Sequence, residues 1–303
     1  MFTHNTSLII PTKDRPLELL KLLKQLKLFN IKFFEILVVD SSNFKNKELV
    51  NSICKKLLIK LYTTWPSTSH QRNLGLDKKN KSSEYTMFLD DDVIFFKNSF
   101  FEMNKTIVKY KKNRSISGFI FNQYIKNKNQ KLIEKFKSSK LIEILNLYSY
   151  KPGKIMNSGW HTKILNVKND LYADWAYTTA SIYKSKDIHN FRFDESFGKY
   201  SYLEDLDFSL NLKKKNKKFI ISHLAKFTHP LNIDRSDFDF GVTELFNRYK
   251  IVVKHNLNKK LFFIASFLKF IIFFLSILKG NKKYFLRSLG NIKGVYKIII
   301  KFK

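Results

Sequence analysis

The first ninety residues alternate short apolar runs with leucine-periodic stretches, and this alternation limits the possible folds more than any other feature. "SLIIP" (7–11) reads as a buried strand stopped by its proline. "RPLELLKLLKQLKLF" (15–29) carries leucines at helical spacing, with Pro16 suited to a first helical turn. "FEILVVD" (34–40) is a second strand that ends in Asp40 and completes a βαβ unit. A helical stretch near 46–57, a strand within "KKLLIKLYTT" (55–64), a helix over "HQRNLGLDKKN" and a strand in "EYTMFLD" continue the pattern. It predicts an α/β fold whose sheet is mixed, mostly parallel and flanked by helices.

Ligands of such sheets bind beyond the carboxyl ends of the strands. Three separated segments fall there: Thr12 to Arg15, Asp40, and the run Asp90, Asp91, Asp92. The nine glycines form neither GxGxxG nor GxxxxGK[ST], so neither a dinucleotide fingerprint nor a phosphate loop is present.

The aspartate run is unexpected in a chain with a formal net charge of +31. Strand alternation points Asp90 and Asp92 one way and Asp91 the other. Two carboxylates held close beside an apolar strand are costly unless a cation joins them or one is protonated. Oxygen ligands with open positions suit Mg²⁺ or Mn²⁺, which keep waters and bind substrate phosphates. A solvated acidic turn is the plainer alternative.

Taken in order, five segments resemble a known family. "SLIIPTKDRPLELL", "EILVVDSSN", "HQRNLGL", "YTMFLDDDVIFF" and "FDESFGKYSYLEDLDFSLNLKKK" are similar to the strand, loop and acidic motifs of a family 2 glycosyltransferase. That is a nucleotide-sugar transferase of the GT-A fold, and the likeness covers roughly residues 5–255. It implies that Pro11, Thr12, Arg15 and Asp40 hold the nucleobase and ribose, and that Arg72 contacts base or phosphate. It places Asp90 near the ribose, with Asp91 on the same nucleotide side, and gives Asp92 and His229 to a Mg²⁺ or Mn²⁺ ion on the diphosphate. His223 competes with His229. Asp205 is then the general base, with Asp207 a possible substitute, and Glu204 and Trp175 belong to the acceptor side. The glycine usual after the second-strand aspartate is replaced by serine in "VVDSSN". Residue by residue, simpler roles compete: a helix N-cap for Asp40, helix-dipole stabilisation for Asp205, core packing for Trp175.

The C-terminal residues differ in kind. "LFFIASFLKFIIFFLSIL" (261–278) is apolar except for Ser266, Lys269 and Ser276, and lysines flank both ends. A lysine at the centre of a span costs about 2.5–3.5 kcal/mol, which the apolar residues could offset. A mixed basic-apolar helix follows at about 283–302. We read residues 256–303 as a helical tail lying in or on the membrane, its lysines meeting anionic head groups. A single span and a buried packing helix are the alternatives.

Composition narrows the partners. Seven of the 56 basic residues are arginine, whereas base-specific recognition favours the planar guanidinium. A nucleic-acid-binding protein is therefore the lesser reading, as is a catalytically inactive membrane-surface scaffold. The single cysteine, Cys54, excludes an internal disulfide, and "MFTHNTSLII" has no secretory pattern. The expectation is an inverting hexosyl- or deoxyhexosyltransferase on the inner face of the cell membrane, cytoplasmic and peripheral or monotopic. It would move a sugar from a nucleotide sugar to a glycan or lipid-linked acceptor in surface polysaccharide synthesis, without nucleic acid.

Overall fold

The computed structural model describes residues 1–126, 140–229, 237–280 and 282–302. By its contacts the chain forms two compact units, Met1–Lys126 with Ile164–Pro230, and Asn127–Lys163 with Leu231–Lys303. The helix Phe238–Lys254 falls in the second unit, together with the tail.

The first unit is built on a sheet in the order β3-β2-β1-β4-β8-β6-β9-β5, with β7 paired to β9. Its parallel half is β1 (Thr6–Thr12), β2 (Glu35–Asp40), β3 (Lys60–Thr63) and β4 (Tyr85–Leu89). β8 (Ala180–Lys184) runs antiparallel to β4 and to β6 (Ile116–Gln123). β9 (Lys218–Thr228) runs parallel to β6 and takes β5 (Ile94–Phe95) and β7 (Leu171–Ala173) as antiparallel neighbours. This mixed sheet, flanked by helices, is the GT-A architecture.

Local chemistry accounts for the elements. In α1 (Pro16–Leu28), Leu19, Leu22, Leu23 and Leu26 are buried at helical spacing while Leu17 and Leu28 face solvent. Asn43 caps α2 (Phe44–Lys56) by accepting from the Asn46 N–H, so the N-cap role weighed for Asp40 belongs to Asn43. Pro11 does not end β1. It lies beyond the last β1–β4 pair, Ile9 with Phe88, and the strand continues against β2 to Thr12. α3 (Thr68–Lys78) settles onto β1 through Gly75, where a Cβ would come within 2.5 Å of Ile9 Cγ2. That close approach brings Gln71 and Arg72, one turn earlier, over the strand ends.

In the second unit, helix Phe238–Lys254 packs on helix Lys282–Lys301 at glycine contacts. A Cβ on Gly290 would lie 2.0 Å from the Phe238 carbonyl oxygen. The apolar run 261–278 is not one helix: Lys259–Phe274 gives way to a 3-10 turn, Leu275–Lys279. Among the described residues no helix is long and apolar enough to cross a membrane. Lys269, which the sequence suggested would have to be accommodated in lipid, instead donates to Glu244 Oε1 at 2.6 Å and sits 4.0 Å from the centre of the Trp160 ring. Arg287 donates to the other Glu244 oxygen, with Arg248 Nη2 at 3.7 Å from the first. These cations hold the Glu244 carboxyl, despite its burial, well below the usual carboxylate range.

Candidate active site

Strand register gathers the predicted residues at one edge of the first unit. Thr12 pairs with Asp40, and Asp40 with Thr63, while β4 stops at Leu89 so that Asp90 leaves the sheet on the same side. Gln71 Nε2 fastens this edge by donating to the Thr12 and Val39 carbonyls, each at 2.8 Å. The loop after β1 turns through Asp14, whose φ of 57° is left-handed. Its backbone N–H donates to Ser42 Oγ at 2.7 Å, and its carboxylate accepts from the Asn43 N–H at 2.8 Å. Hydrogen bonds from Lys13 and from Asn43 lower the Asp14 carboxyl to about 2. Sequence reasoning missed Asp14, Ser42 and Gln71, because their work is to join loops distant in the chain. The one local signal was the pair of serines that replaces the usual glycine after Asp40.

Asp40 is buried. Its Oδ1 accepts from the Ser42 N–H at 2.9 Å and the Ser42 hydroxyl at 2.5 Å, whereas Oδ2 is buried without a hydrogen-bond partner. Such an acceptor is costly to leave unmade and suits a donor on a ligand.

Within the aspartate run, the expected alternation gives way to a turn, and each acid meets a different partner. Asp90 Oδ1 accepts from Arg72 Nη2 at 3.0 Å. Asp91 turns inward, accepting from the Thr12 hydroxyl at 2.6 Å, and burial pushes its carboxyl up to about 7. Arg15 Nη1 bridges Asp91 Oδ1 at 3.3 Å and Asp92 Oδ2 at 2.8 Å. The second and third acids therefore share a cation, where strand geometry predicted that the first and third would pair. His229 Nε2 lies 2.8 Å from the remaining Asp92 oxygen, Oδ1, yet that oxygen has no aligned hydrogen bond. Burial raises the Asp92 carboxyl, but His229 and Arg15 outweigh it and the net shift is downward. The competing His223 is turned to Asp170 at 2.7 Å.

Arg72 is buried, and its second nitrogen, Nη1, donates to Glu204 Oε1. Glu204 starts the helix Glu204–Lys213, entered through Leu203 in a left-handed conformation, φ 76°. The neighbouring Asp205 is half-buried, with Oδ1 accepting from the Leu206 N–H at 2.8 Å, whereas Asp207 is wholly buried. Glu204 is therefore engaged by Arg72. Trp175, expected on the acceptor side, is a core aromatic, 6% exposed and edge-on to Tyr177.

Among the described residues no three His, Cys, Asp or Glu side chains gather as a metal centre. Asp92 and His229 nonetheless form a two-ligand set with one unbonded buried oxygen. That fits Mg²⁺ or Mn²⁺, which take one or two carboxylates and complete their shell with waters and substrate phosphates. A separate groove of about 400 Å³ lies in the second unit, lined by Val242, Phe246, Lys297 and Ile300 among others.

Comparison with known proteins assigns the chain to a family. The profile of glycosyl transferase family 2 matches residues 7–170, more than half of the chain. The chain belongs to this family and is a glycosyltransferase. No curated protein sequence matches significantly. Among solved structures it is similar to the mannosyltransferase PcManGT from Pyrobaculum calidifontis in complex with GDP-Man and Mn²⁺, with TM-score 0.57 and 11% identity over 97% of this chain and 87% of that one. It is also similar to S. aureus TarS 1-349 in complex with UDP-GlcNAc, with TM-score 0.53 and 16% identity over 94% of this chain and 80% of that one. Of the longer S. aureus TarS chain it spans 43%, with TM-score 0.51 and 15% identity over 89% of this chain. At such identities the likeness is one of fold.

Proposed function

We propose that this glycosyltransferase is inverting and metal-assisted, and moves a sugar from a nucleotide diphosphate sugar to a hydroxyl of a lipid-linked glycan in surface polysaccharide synthesis. One observation carries the reading: a single buried guanidinium, Arg72, touches both Asp90 at the end of β4 and Glu204, the neighbour of Asp205. Donor-side acids and a proton-accepting carboxylate are thereby held at one edge.

In this reading the loop Pro11 to Arg15 and Asp40 take the nucleobase, with Asp40 Oδ2 accepting a base N–H. Losing that bond would cost roughly 1–3 kcal/mol, enough to select among bases. Asp90 and Asp91 border the ribose. Asp92 and His229 hold the divalent ion, which when bound neutralises the departing diphosphate. Asp205 takes the proton of the acceptor hydroxyl as it attacks opposite the diphosphate, a single displacement that inverts the anomeric centre.

The tail supports work at a membrane surface. Helix Lys282–Lys301 exposes Ile292, Tyr296, Ile299 and Ile300 among Lys293, Lys297 and Lys301, as suits an interfacial helix on anionic lipid. A cytoplasmic inner face follows from where nucleotide sugars are held.

Calorimetric titration with UDP-, GDP- and TDP-sugars, with and without Mn²⁺, tests the core of this reading. Binding of one class, tightened by Mn²⁺, is expected. No binding by any of them would sink it.

A further inference from the structure

An aspartate carboxylate turns easily about its last torsion, so a metal ligand of this type needs a partner that fixes which oxygen it presents. At Asp92 the two oxygens are unequal. Oδ2 accepts from Arg15 Nη1 at 2.8 Å, whereas Oδ1, buried and without an aligned hydrogen bond, lies 2.8 Å from His229 Nε2. The pairing of Ile94 with Thr228 fixes the backbone near that contact, two residues after Asp92 and one before His229.

The same Arg15 nitrogen reaches Asp91 Oδ1 at 3.3 Å, and the other Asp91 oxygen accepts from the Thr12 hydroxyl at 2.6 Å. Asp91 therefore uses both oxygens inside the protein. The backbone of Arg15 is equally constrained. It is the N-cap residue of α1, with Pro16 in the first turn and the Leu19 N–H donating to the Arg15 carbonyl at 3.1 Å. Thr12, Asp91, Arg15 and Asp92 thus form one chain of hydrogen bonds, running from the end of β1 to Asp92 Oδ2.

We propose that Arg15 is a positioning residue for the divalent ion: braced by Asp91, it holds Asp92 Oδ2 and so leaves Oδ1 as the oxygen offered to the ion beside His229. This rests on the reading above of Asp92 and His229 as ligands of that ion. The Arg15 side chain then serves the acids rather than the nucleobase, and Asp91 acts on the site through Arg15. A guanidinium so placed also repels a divalent ion. Two observations make the brace the stronger effect. Arg15 and the ion use different oxygens of Asp92, and the Arg15 side chain is 41% exposed, so water and salt screen the repulsion.

Mn²⁺ binding tests this apart from activity. The ion is titrated into the protein alone and with saturating uridine or guanosine diphosphate, followed by electron paramagnetic resonance. Spin-echo modulation reports an imidazole nitrogen on the bound ion. The wild type should show that nitrogen signature, and His229→Ala should remove it. Arg15→Met, which keeps much of the side-chain length without its donors, should weaken Mn²⁺ binding about 10- to 100-fold. Arg15→Lys should recover part of the loss, because one ammonium can donate to two carboxylates. Asp91→Asn should weaken binding in the same direction but by less. Affinity for the diphosphates in EDTA should be equal in the wild type and Arg15→Met, which a base contact through this side chain would not allow. Thermal melts show whether the variants are folded, and Arg15→Lys and Asp91→Asn carry the same comparison should Arg15→Met not fold. Unchanged or tighter Mn²⁺ binding in the folded variants, or an equal loss of nucleotide affinity in EDTA, would overturn the brace and leave the metal reading standing. Absence of the nitrogen signature in the wild type would strike the metal reading, and the brace with it.

Discussion

Arg72 and Glu204, 132 positions apart, meet side chain to side chain where each is at most 9% exposed. The same guanidinium reaches Asp90, so one cation ties the end of a central strand to the start of a helix much later in the chain. A fork is required here, because a lysine ammonium is a point charge and cannot offer two divergent donors in one plane.

Arg72→Ala should therefore lower stability by about 3–5 kcal/mol, since it leaves the Asp90 carboxylate and the buried Glu204 carboxyl without the guanidinium both accept from. Urea unfolding followed by circular dichroism measures this. Arg72→Lys should recover only part of it, and a variant as stable as the wild type would show that the bridge is not a structural element.

Asp205→Asn should reduce transfer by about 10²–10⁴-fold while donor KM stays the same, the mark of a lost base rather than a lost binding contact. Asp92→Asn should instead weaken Mn²⁺-dependent donor binding, with its melting curve preserved. Chelation by EDTA should abolish wild-type transfer, and added Mn²⁺ or Mg²⁺ should restore it.

Burial, with Asp205 and Asp90 nearby, raises the Glu204 carboxyl from 4.5 to about 8 even against Arg72. The folded state then binds a proton that the unfolded chain has released, so stability declines as pH rises from about 4.5 towards 8. Glu204→Gln, which cannot ionise, should flatten the melting temperature across that window. A dependence as steep in the variant would move the effect to another group.

Glu244 stabilises the second unit by a parallel principle. Glu244→Ala would leave Lys269, Arg287 and Arg248 facing one another, with a loss of about 3–5 kcal/mol. Its depressed carboxyl predicts that this contribution survives acidification to below the usual carboxylate range, measurable as a retained melting transition at pH 4.

Cys54 is 1% exposed, and burial pushes its thiol up to about 11. Ellman's reagent at pH 8 should leave the native protein unmodified and titrate one thiol after unfolding.

How much of this was legible in advance varies with the range of the interaction. The parallel half of the sheet was readable because "SLIIP", "EILVVD" and "YTMFLD" are local patterns, and a strand carries its end residue to a defined edge whatever surrounds it. Lys269 was misjudged for the opposite reason. Its partner, Glu244, lies 25 residues away on another helix, so hydropathy counted as an expense in lipid a charge that is already neutralised.

By itself, then, the order of residues determined the α/β class, the edge on which the acids gather and the kind of chemistry they can perform, since periodicity and residue type are carried within each segment. Tertiary structure alone decided the pairings: Asp91 turned to Thr12, His229 rather than His223 beside Asp92, Trp175 in the core and Trp65 half in water. These depend on crossovers, loop bonds and burial that join positions far apart in the chain, 79 residues for Thr12 with Asp91, and no local pattern encodes which distant side chain will arrive.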